Sequence, residues 1–86
     1  MDDLKWSGLK SHRLKRTRGK SFEDVLTMRY IDVILNPAHS DQSLLLFEEN
    51  GYVWVVPCAK TSEGLILKTL YPSRKYTRMF HKGEIK

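Results

Sequence analysis

Two apolar runs joined by Asn50-Gly51 give the clearest structural signal in the chain. Asn-Gly between such runs is typical of a two-residue hairpin turn, because both turn positions need a positive φ that Asn tolerates and Gly adopts freely. The turn fixes the register of the two strands, so that Phe47 faces Trp54. Side chains alternate between the faces of a strand, and here both faces are apolar away from the turn. The pattern therefore predicts a central hairpin that other elements cover on both sides.

Shorter patterns before and after the hairpin predict the remaining elements. Before it, the sequence favours an edge strand, a basic helix, a second helix opened by a Ser-x-x-Asp capping box, and a strand, over residues 3–6, 7–18, 21–29 and 30–35. After it, residues 65–71 form the last predicted strand, which Pro72 ends, and Ser73 begins a short helix. This order predicts one α+β domain over residues 1–86, with a mostly antiparallel sheet of four or five strands, two N-terminal helices and a short C-terminal helix.

The first predicted helix is strongly basic. Seven Lys, Arg and His side chains lie between Lys10 and Lys20, whereas only Leu9 and Leu14 offer this helix an apolar footing. At 100° per residue the basic groups cannot share one face, so packing alone stabilises the helix poorly. Such a surface favours an anionic partner. The alternative is a solvated surface helix whose charges are balanced by acidic neighbours.

Charge and composition narrow the classes of function. The chain of 86 residues carries a net charge of +5 and has a sequence pI near 9.5, which favours a polyanionic partner. Its single cysteine, Cys58, excludes an internal disulfide framework and supplies too few ligands for a typical zinc site. The sequence has no apolar run of about 20 residues and no signal-peptide pattern, so we expect a cytoplasmic protein without a membrane anchor. We expect no cofactor, and the sequence contains no phosphate-cradling glycine loop.

Residues 14–25, which follow Trp6, and residues 71–78 form two motifs that together resemble BrnT-type toxins. Residues 14–25, LKRTRGKSFEDV, follow Trp6 and are similar to the opening of that family, where a Trp-Asp start leads to a basic helix, a glycine and a Ser-Phe-Glu-Glu helix. Residues 71–78, YPSRKYTR, look like the family's passage from strand to helix, which typically reads Ser-Ala-Arg-Arg-Ala-Thr-Arg. The chain departs from the family at Ser7, where the family has Asp, and at Arg18, where it has a histidine before the glycine.

The resemblance implies a RelE-like fold and an endoribonuclease that cleaves mRNA, the toxin of a type II toxin–antitoxin pair. It also implies a cognate antitoxin, a small protein that neutralises the toxin and binds operator DNA. Because the family histidine is absent, the chain lacks the imidazole that would transfer a proton at that position. His12, His39 and His81 lie elsewhere in the sequence and are more typical of exposed histidines than of catalysts.

Cleavage of RNA by its own 2′-hydroxyl group needs a base, an acid and cations around the phosphorane-like transition state, and it requires no metal ion. We expect Lys68 of the last strand to converge on one phosphate with Arg74 and Arg78 of the helix after it, because an arginine fork grips two phosphate oxygens. Arg13 or Arg16 is expected to close the opposite wall. The predicted RNA-binding residues are Arg13, Arg16, Lys20, Tyr71 and Lys75, and the predicted catalytic residues are Lys68, Arg74, Arg78 and Glu63.

Several of these residues also have a purely structural interpretation. Lys68 is equally typical of a lysine that lays its stem on an apolar surface and keeps its charge in water. Glu63, the candidate base, lies beside a glycine and is more typical of a turn residue. Tyr71 and Trp54 are candidates for stacking on unpaired bases, but Trp54 faces Phe47 in the hairpin and is better explained as a core residue.

Two functional hypotheses follow from the sequence. The first is a metal-independent endoribonuclease toxin. The second is a non-catalytic basic module, a degenerate toxin or a regulatory subunit, that contacts nucleic acid or an acidic partner through the same surfaces. The missing family histidine favours the second hypothesis. Cleavage of single-stranded RNA in EDTA, lost in a folded Arg74→Ala variant, distinguishes the two.

Overall fold

A computed structural model describes residues 3–85, which form a mixed α+β fold of six strands and three helices. In chain order the elements are β1 (Leu4–Lys5), α1 (Gly8–Arg18), α2 (Phe22–Leu26), β2 (Arg29–Leu35), β3 (Gln42–Glu49), β4 (Tyr52–Thr61), β5 (Gly64–Leu67), β6 (Tyr71–Pro72) and α3 (Arg74–His81). The strand order is β1-β5-β4-β3-β2, and β6 pairs with β4 beyond the end of β5. Neighbouring strands are antiparallel except β1 and β5, which are parallel. None of the helices in residues 3–85 has the length and apolar composition that crossing a membrane requires.

The hairpin of β3 and β4 forms as the sequence predicts. Asn50 and Gly51 adopt φ angles of 54° and 81°. The N–H of Gly51 donates a hydrogen bond to Glu48 Oε2 at 2.7 Å. Phe47 pairs with Trp54, which confirms the predicted register. Both strands have neighbours on their other sides, so the hairpin is central to the sheet.

Helices cover the sheet on both faces. One face, called here the α1–α2 face, buries Leu45, Phe47, Val56, Cys58 and Leu67 together with Leu14, Phe22 and Val25 of the helices. The other, called the α3 face, buries Leu44, Leu46, Val53 and Val55 together with Tyr76. The strand residues alternate between these two sets, as successive side chains of a strand must. Burial on both sides explains why β3 and β4 are apolar at almost every position away from the turn.

The sequence-based element boundaries need two corrections. The predicted last strand over residues 65–71 is divided into β5 and β6, so the sheet has six strands rather than four or five. The second helix ends at Leu26, earlier than predicted, because Arg29 already pairs with Glu48 in the sheet and this tertiary pairing overrides helix propensity. The α+β class, the two N-terminal helices and the short C-terminal helix are confirmed, whereas the RelE-like arrangement stays a prediction.

α1 is attached to α2 partly by polar contacts that its sequence pattern does not reveal. Leu9 is 81% exposed, so it does not make the apolar packing contact that the sequence predicts for it. Ser11 is buried instead: its hydroxyl donates to Glu23 Oε1 and accepts the N–H of Phe22. Glu23 also accepts a hydrogen bond from Trp6 Nε1 at 2.8 Å. One glutamate therefore holds the start of α2 against α1 and the segment before it.

Hydrogen bonds lower the pKa values of two carboxylates at the start of α2. Lys15 Nζ and the N–H of Ser21 donate to Asp24 Oδ2 at 2.8 and 2.9 Å, and they lower the pKa of Asp24 to about 2. The bond from Ser21 completes the predicted capping box. The Ser11 hydroxyl is the first of several donors that lower the pKa of Glu23.

We expect the free energy of unfolding to fall as the pH is lowered from about 4.5 towards 2. In unfolded chains Asp and Glu have pKa values of about 3.9 and 4.3, so stability from a lowered folded-state pKa is present above those values and is lost as the pH falls through the folded ones. Urea denaturation at about pH 7, 4 and 2.5 measures this decline. Asp24→Asn should make the decline smaller, whereas Asp41→Asn, in the exposed loop before β3, should leave it unchanged. An identical decline in both variants would show that the Lys15–Asp24 pair does not contribute.

Candidate nucleic-acid interface

A β-bulge between β5 and β6 redirects the chain just before α3. Leu67 pairs with Cys58 and Tyr71 pairs with Val55, so three residues of one strand oppose two of the other. Leu70 lies on the α1–α2 face and is fully buried, whereas Tyr71 packs on the α3 face. The extra residue of the bulge therefore aims the Tyr71 side chain towards α3.

Arg18 connects the end of α1 to this bulge. The helix ends at Gly19, whose φ of 85° is typical of a left-handed C-cap. Arg18 is the last helical residue, and its Nη1 donates to Leu70 O at 2.6 Å. Burial raises the pKa of Tyr71, and the charge of Arg18 opposes that increase. Since the pKa is raised overall, the phenol stays protonated at neutral pH and is a hydrogen-bond donor close to a cation.

α3 is fixed to the beginning of β4 by polar contacts at two points. Thr77 Oγ1 accepts the N–H of Val53 at 2.8 Å. His81 Nε2 donates to Gly51 O at 2.7 Å. Tyr76, one residue before Thr77, is buried against the α3 face. The sheet therefore holds one side of α3 and leaves the other side exposed.

The exposed side of α3 is cationic. Arg74, Arg78 and Lys82 follow one another at intervals of four residues and are exposed, so they form a row along the helix. Lys75 is also exposed, and its Nζ lies 5.4 Å from the ring centroid of Tyr76, a cation–π distance.

Ion pairs do not neutralise these cations within residues 3–85. The pairs in this part of the chain are Lys15–Asp24, Lys20–Glu49 and Arg29–Glu48, with N to O distances of 2.8, 3.1 and 3.6 Å. All three involve carboxylates of α2 or of the β3–β4 hairpin. Two of them involve basic residues of α1 or the segment after it, so acidic neighbours balance part of that basic stretch. The row on α3 remains available to an anion.

The structure divides the predicted site residues into groups. The first group belongs to the bulge, β6 and α3 and contains Lys68, Tyr71, Arg74, Lys75 and Arg78. On the exposed side of α1 lie Arg13 and Arg16. Lys20 pairs with Glu49, and Glu63 lies in the turn between β4 and β5. The first group is contiguous because its members are close in sequence. The other residues are not brought to it.

Glu63 and the outer arginines of α1 lie apart from the first group for different reasons. The chain from Glu63 to Tyr71 is mostly extended, and at about 3.3 Å per residue it spans more than 20 Å. Arg13 and Arg16 project from the side of α1 opposite Ser11, and α1 and α3 pack on opposite faces of the sheet. Neither arginine therefore closes a wall opposite Lys68.

Arg18 is the residue at this site that sequence analysis missed. It precedes the glycine that ends α1, at the position where BrnT-type toxins have a histidine, so the sequence contains a signal that points to it. Comparison with the family motif shows only that the histidine of this position is missing. The structure shows instead that the helix end delivers a guanidinium group to the bulge beside Tyr71.

The described residues offer no grouping suited to a metal ion: within residues 3–85 no three His, Cys, Asp or Glu side chains are clustered. His12, His39 and His81 lie on α1, in the loop before β3 and at the end of α3, and all are exposed. Cys58 is buried, and burial raises the pKa of its thiol, which stays neutral. The groups that the candidate site offers are cations and a tyrosine.

Comparisons with protein-family models, with curated proteins and with solved structures find no match to this chain. The resemblance to BrnT-type toxins therefore rests on the motifs quoted above and stays a prediction.

Proposed function

We propose that this chain is an endoribonuclease toxin that binds single-stranded RNA along α3 and β6. One observation carries the proposal: Tyr71, protonated and half-buried, lies beside Arg18, and Lys68 and Arg74 flank it in the sequence. Lys68 and Arg74 are each three positions away from Tyr71 in the sequence, so their Cα atoms lie within about 11 Å of that of Tyr71. These four residues are called the Tyr71 cluster.

The side chains of the cluster suit the two groups that unpaired RNA exposes, its phosphates and its bases. Arginine forks grip phosphate oxygens in pairs, and aromatic rings stack on splayed bases. The row formed by Arg74, Arg78 and Lys82 extends the cluster along α3, in the manner of a groove that follows a phosphate backbone. The net charge of +5 attracts such a polyanion from a distance.

In the proposed reaction the 2′-oxygen forms a bond to phosphorus as a water molecule takes its proton, and the bond from phosphorus to the 5′-oxygen breaks as a second water molecule gives that oxygen a proton. Negative charge accumulates on the phosphorane-like transition state between these events. Arg18, Lys68 and Arg74 stabilise that charge, and the phenol of Tyr71 donates to a phosphate oxygen. Under this proposal the chain acts in the cytoplasm, where a cognate antitoxin that also binds operator DNA neutralises it. The BrnT-like motifs support this assignment.

Arg74→Ala should lower the rate of RNA cleavage about 100-fold, the usual order for losing one stabilising group at a developing anion. The assay follows a fluorescently labelled single-stranded RNA in EDTA. Lys82→Ala removes one cation from the same helix two turns away, and it should change the rate no more than about twofold, since the effect of a charge in water falls with distance. Circular dichroism checks that both variants are folded. Equal losses in the two variants would refute a specific role for Arg74.

A second candidate function, RNA binding without cleavage, is favoured by the position of the proton-transfer groups. The predicted base Glu63 lies at the far end of β5, and His81 is engaged by Gly51 O at the end of α3 distant from Arg74. Binding of RNA by the wild-type chain with no cleavage in EDTA or in Mg²⁺ would select this candidate.

Under both candidates, the double variant Arg74→Ala/Arg78→Ala should flatten the dependence of log affinity on log salt by about 1.4, since each single-strand phosphate contact contributes about 0.7. Fluorescence anisotropy with a short RNA at about 50 to 300 mM KCl measures this slope. Arg13→Ala/Arg16→Ala removes the same charge from α1. A flatter slope in the α1 variant alone would place the RNA on α1 and not on α3.

A further inference from the structure

An open apolar groove lies on the α1–α2 face, between the end of α2 and strand β2. Its volume is about 550 Å³. Its walls are mainly apolar, with Leu26 at the end of α2 and Val33, Leu45 and Leu65 on the sheet. α1 and α2 cover one part of this face, and the groove is the part that they leave open.

The apolar surface of the groove continues to the edge of the sheet. Tyr30 and Val33 are each 47% exposed and Leu35 is 78% exposed. All three lie on β2 and point to the α1–α2 face, as their pairing with β3 shows. β2 is an edge strand. A contiguous exposed apolar surface of this kind marks a contact site more often than scattered single residues do.

Among residues 3–85, Lys60 is the only charged residue that lines the groove. None of the ion pairs in residues 3–85 involves it, and no carboxylate of these residues lines the groove. A ligand that fills the groove therefore binds more tightly if it has apolar groups along its length and a negative charge next to Lys60.

The distance from β2 to Lys60 distinguishes a helix from an added strand. Lys60 is on β4, two strand spacings from β2, or about 10 Å across the sheet. A helix with its side chains is about 10 Å wide, so a helix lying beside α2 reaches from β2 to Lys60. A strand added to the edge of β2 would lie about 14 Å from β4, too far for its side chains to fill the groove.

We propose that the groove binds an amphipathic helix of a partner protein, whose apolar stripe fills the groove and whose acidic residues pair with Lys60. Such a helix completes the layer that α1 and α2 begin, since a sheet face is stable when covered. This surface lies on the opposite side of the sheet from α3 and Tyr71, so the proposal stands whether or not the chain cleaves RNA.

The test uses the full chain and two synthetic helical peptides that share one leucine stripe and differ only in having Glu or Lys beside it. Calorimetry should show that the acidic peptide binds the wild-type chain about tenfold more tightly than the basic one. Lys60→Glu should reverse this preference. Lys82→Glu makes the same change of charge on α3 and should preserve it. Val33→Glu, which places a charge in the apolar wall, should abolish binding of the acidic peptide.

Four results would overturn the proposal. Binding of neither peptide would show that the groove is not a helix site. An unchanged preference in Lys60→Glu, or an equal reversal in Lys82→Glu, would show that only the overall charge of the chain selects the peptide. A dimer of the wild-type chain in sedimentation experiments, lost in Val33→Glu, would assign the groove to a second copy of the chain instead of a partner helix.

Discussion

Phe22→Ala should remove about 3–5 kcal/mol from the free energy of unfolding, the range for truncating a large aromatic side chain in a core. Phe22 is fully buried between α1, α2 and the sheet, and its ring centroid lies 6.4 Å from that of Trp6. A domain of this size has a total stability of only about 4–13 kcal/mol, so the variant should be largely unfolded or should melt far below the parent. Urea denaturation followed by circular dichroism measures the loss.

Leu9→Ala is the matched control for Phe22→Ala. Leu9 is also an apolar residue of the helical layer, but its side chain is 81% exposed. We therefore expect a change of no more than about 0.5 kcal/mol. A loss in Leu9→Ala as large as that in Phe22→Ala would mean that α1 packs through a different side from the one described here.

Gly64→Ala should destabilise the fold by about 2–4 kcal/mol, because it combines backbone strain with the loss of a strand contact. Gly64 has a φ of 127°, which side chains other than glycine rarely adopt, and a Cβ atom there would collide with Asp3 O. Asp3 O accepts the N–H of Leu65 at 2.8 Å, so relieving the collision moves β1 away from β5. Hydrogen exchange at the Leu65 amide measures this opening, and urea denaturation measures the total loss.

Gly8→Ala is the control for Gly64→Ala. A Cβ atom at Gly8 would have no neighbour within 4 Å, and the residue begins α1, where alanine is the better helix former. This variant should be at least as stable as the parent. A Gly64→Ala variant with the same stability and the same Leu65 exchange rate as the parent would contradict the parallel pairing of β1 and β5.

The parts of the fold that the sequence predicts are those that neighbouring residues determine. Asn50 and Gly51 set the hairpin register by their own backbone preferences, and Ser21 with Asp24 closes the capping box within one turn of helix. Ser73 likewise begins α3 where the sequence places it. In each case the hydrogen bonds or φ angles that decide the structure involve residues no more than three positions apart.

The parts that the sequence does not predict depend on distant partners. The bulge before β6 arises because β5 and β6 both pair with β4. The alternation of apolar and polar residues within residues 65–71 does not reveal it. The buried Ser11 replaces Leu9 in the contact of α1 because Glu23 and the N–H of Phe22 meet its hydroxyl. Helical periodicity favours the leucine and cannot identify the serine.

The same distinction applies to the candidate site. Lys68, Tyr71 and Arg74 lie within seven residues, so sequence analysis can group them without a fold, and their shared role stays a prediction. Arg18 joins them from a position 52 residues before Leu70, through a single hydrogen bond. Glu63 is close to Lys68 in sequence, but the length of β5 separates it from the cluster, because an extended chain rises about 3.3 Å per residue.

The central claim is that the Tyr71 cluster binds single-stranded RNA, and an NMR titration tests it most directly. The ligand is a short RNA with 2′-O-methyl groups, which the proposed reaction cannot cleave, and the readout is the shift of each backbone amide signal. We expect the largest shifts at Arg18, between Leu70 and Arg78, and at Lys68, with small shifts in β2 and in the turn at Glu63. Shifts concentrated instead around Arg13 and Arg16 on α1, with the signals of β6 and α3 unchanged, would contradict the claim.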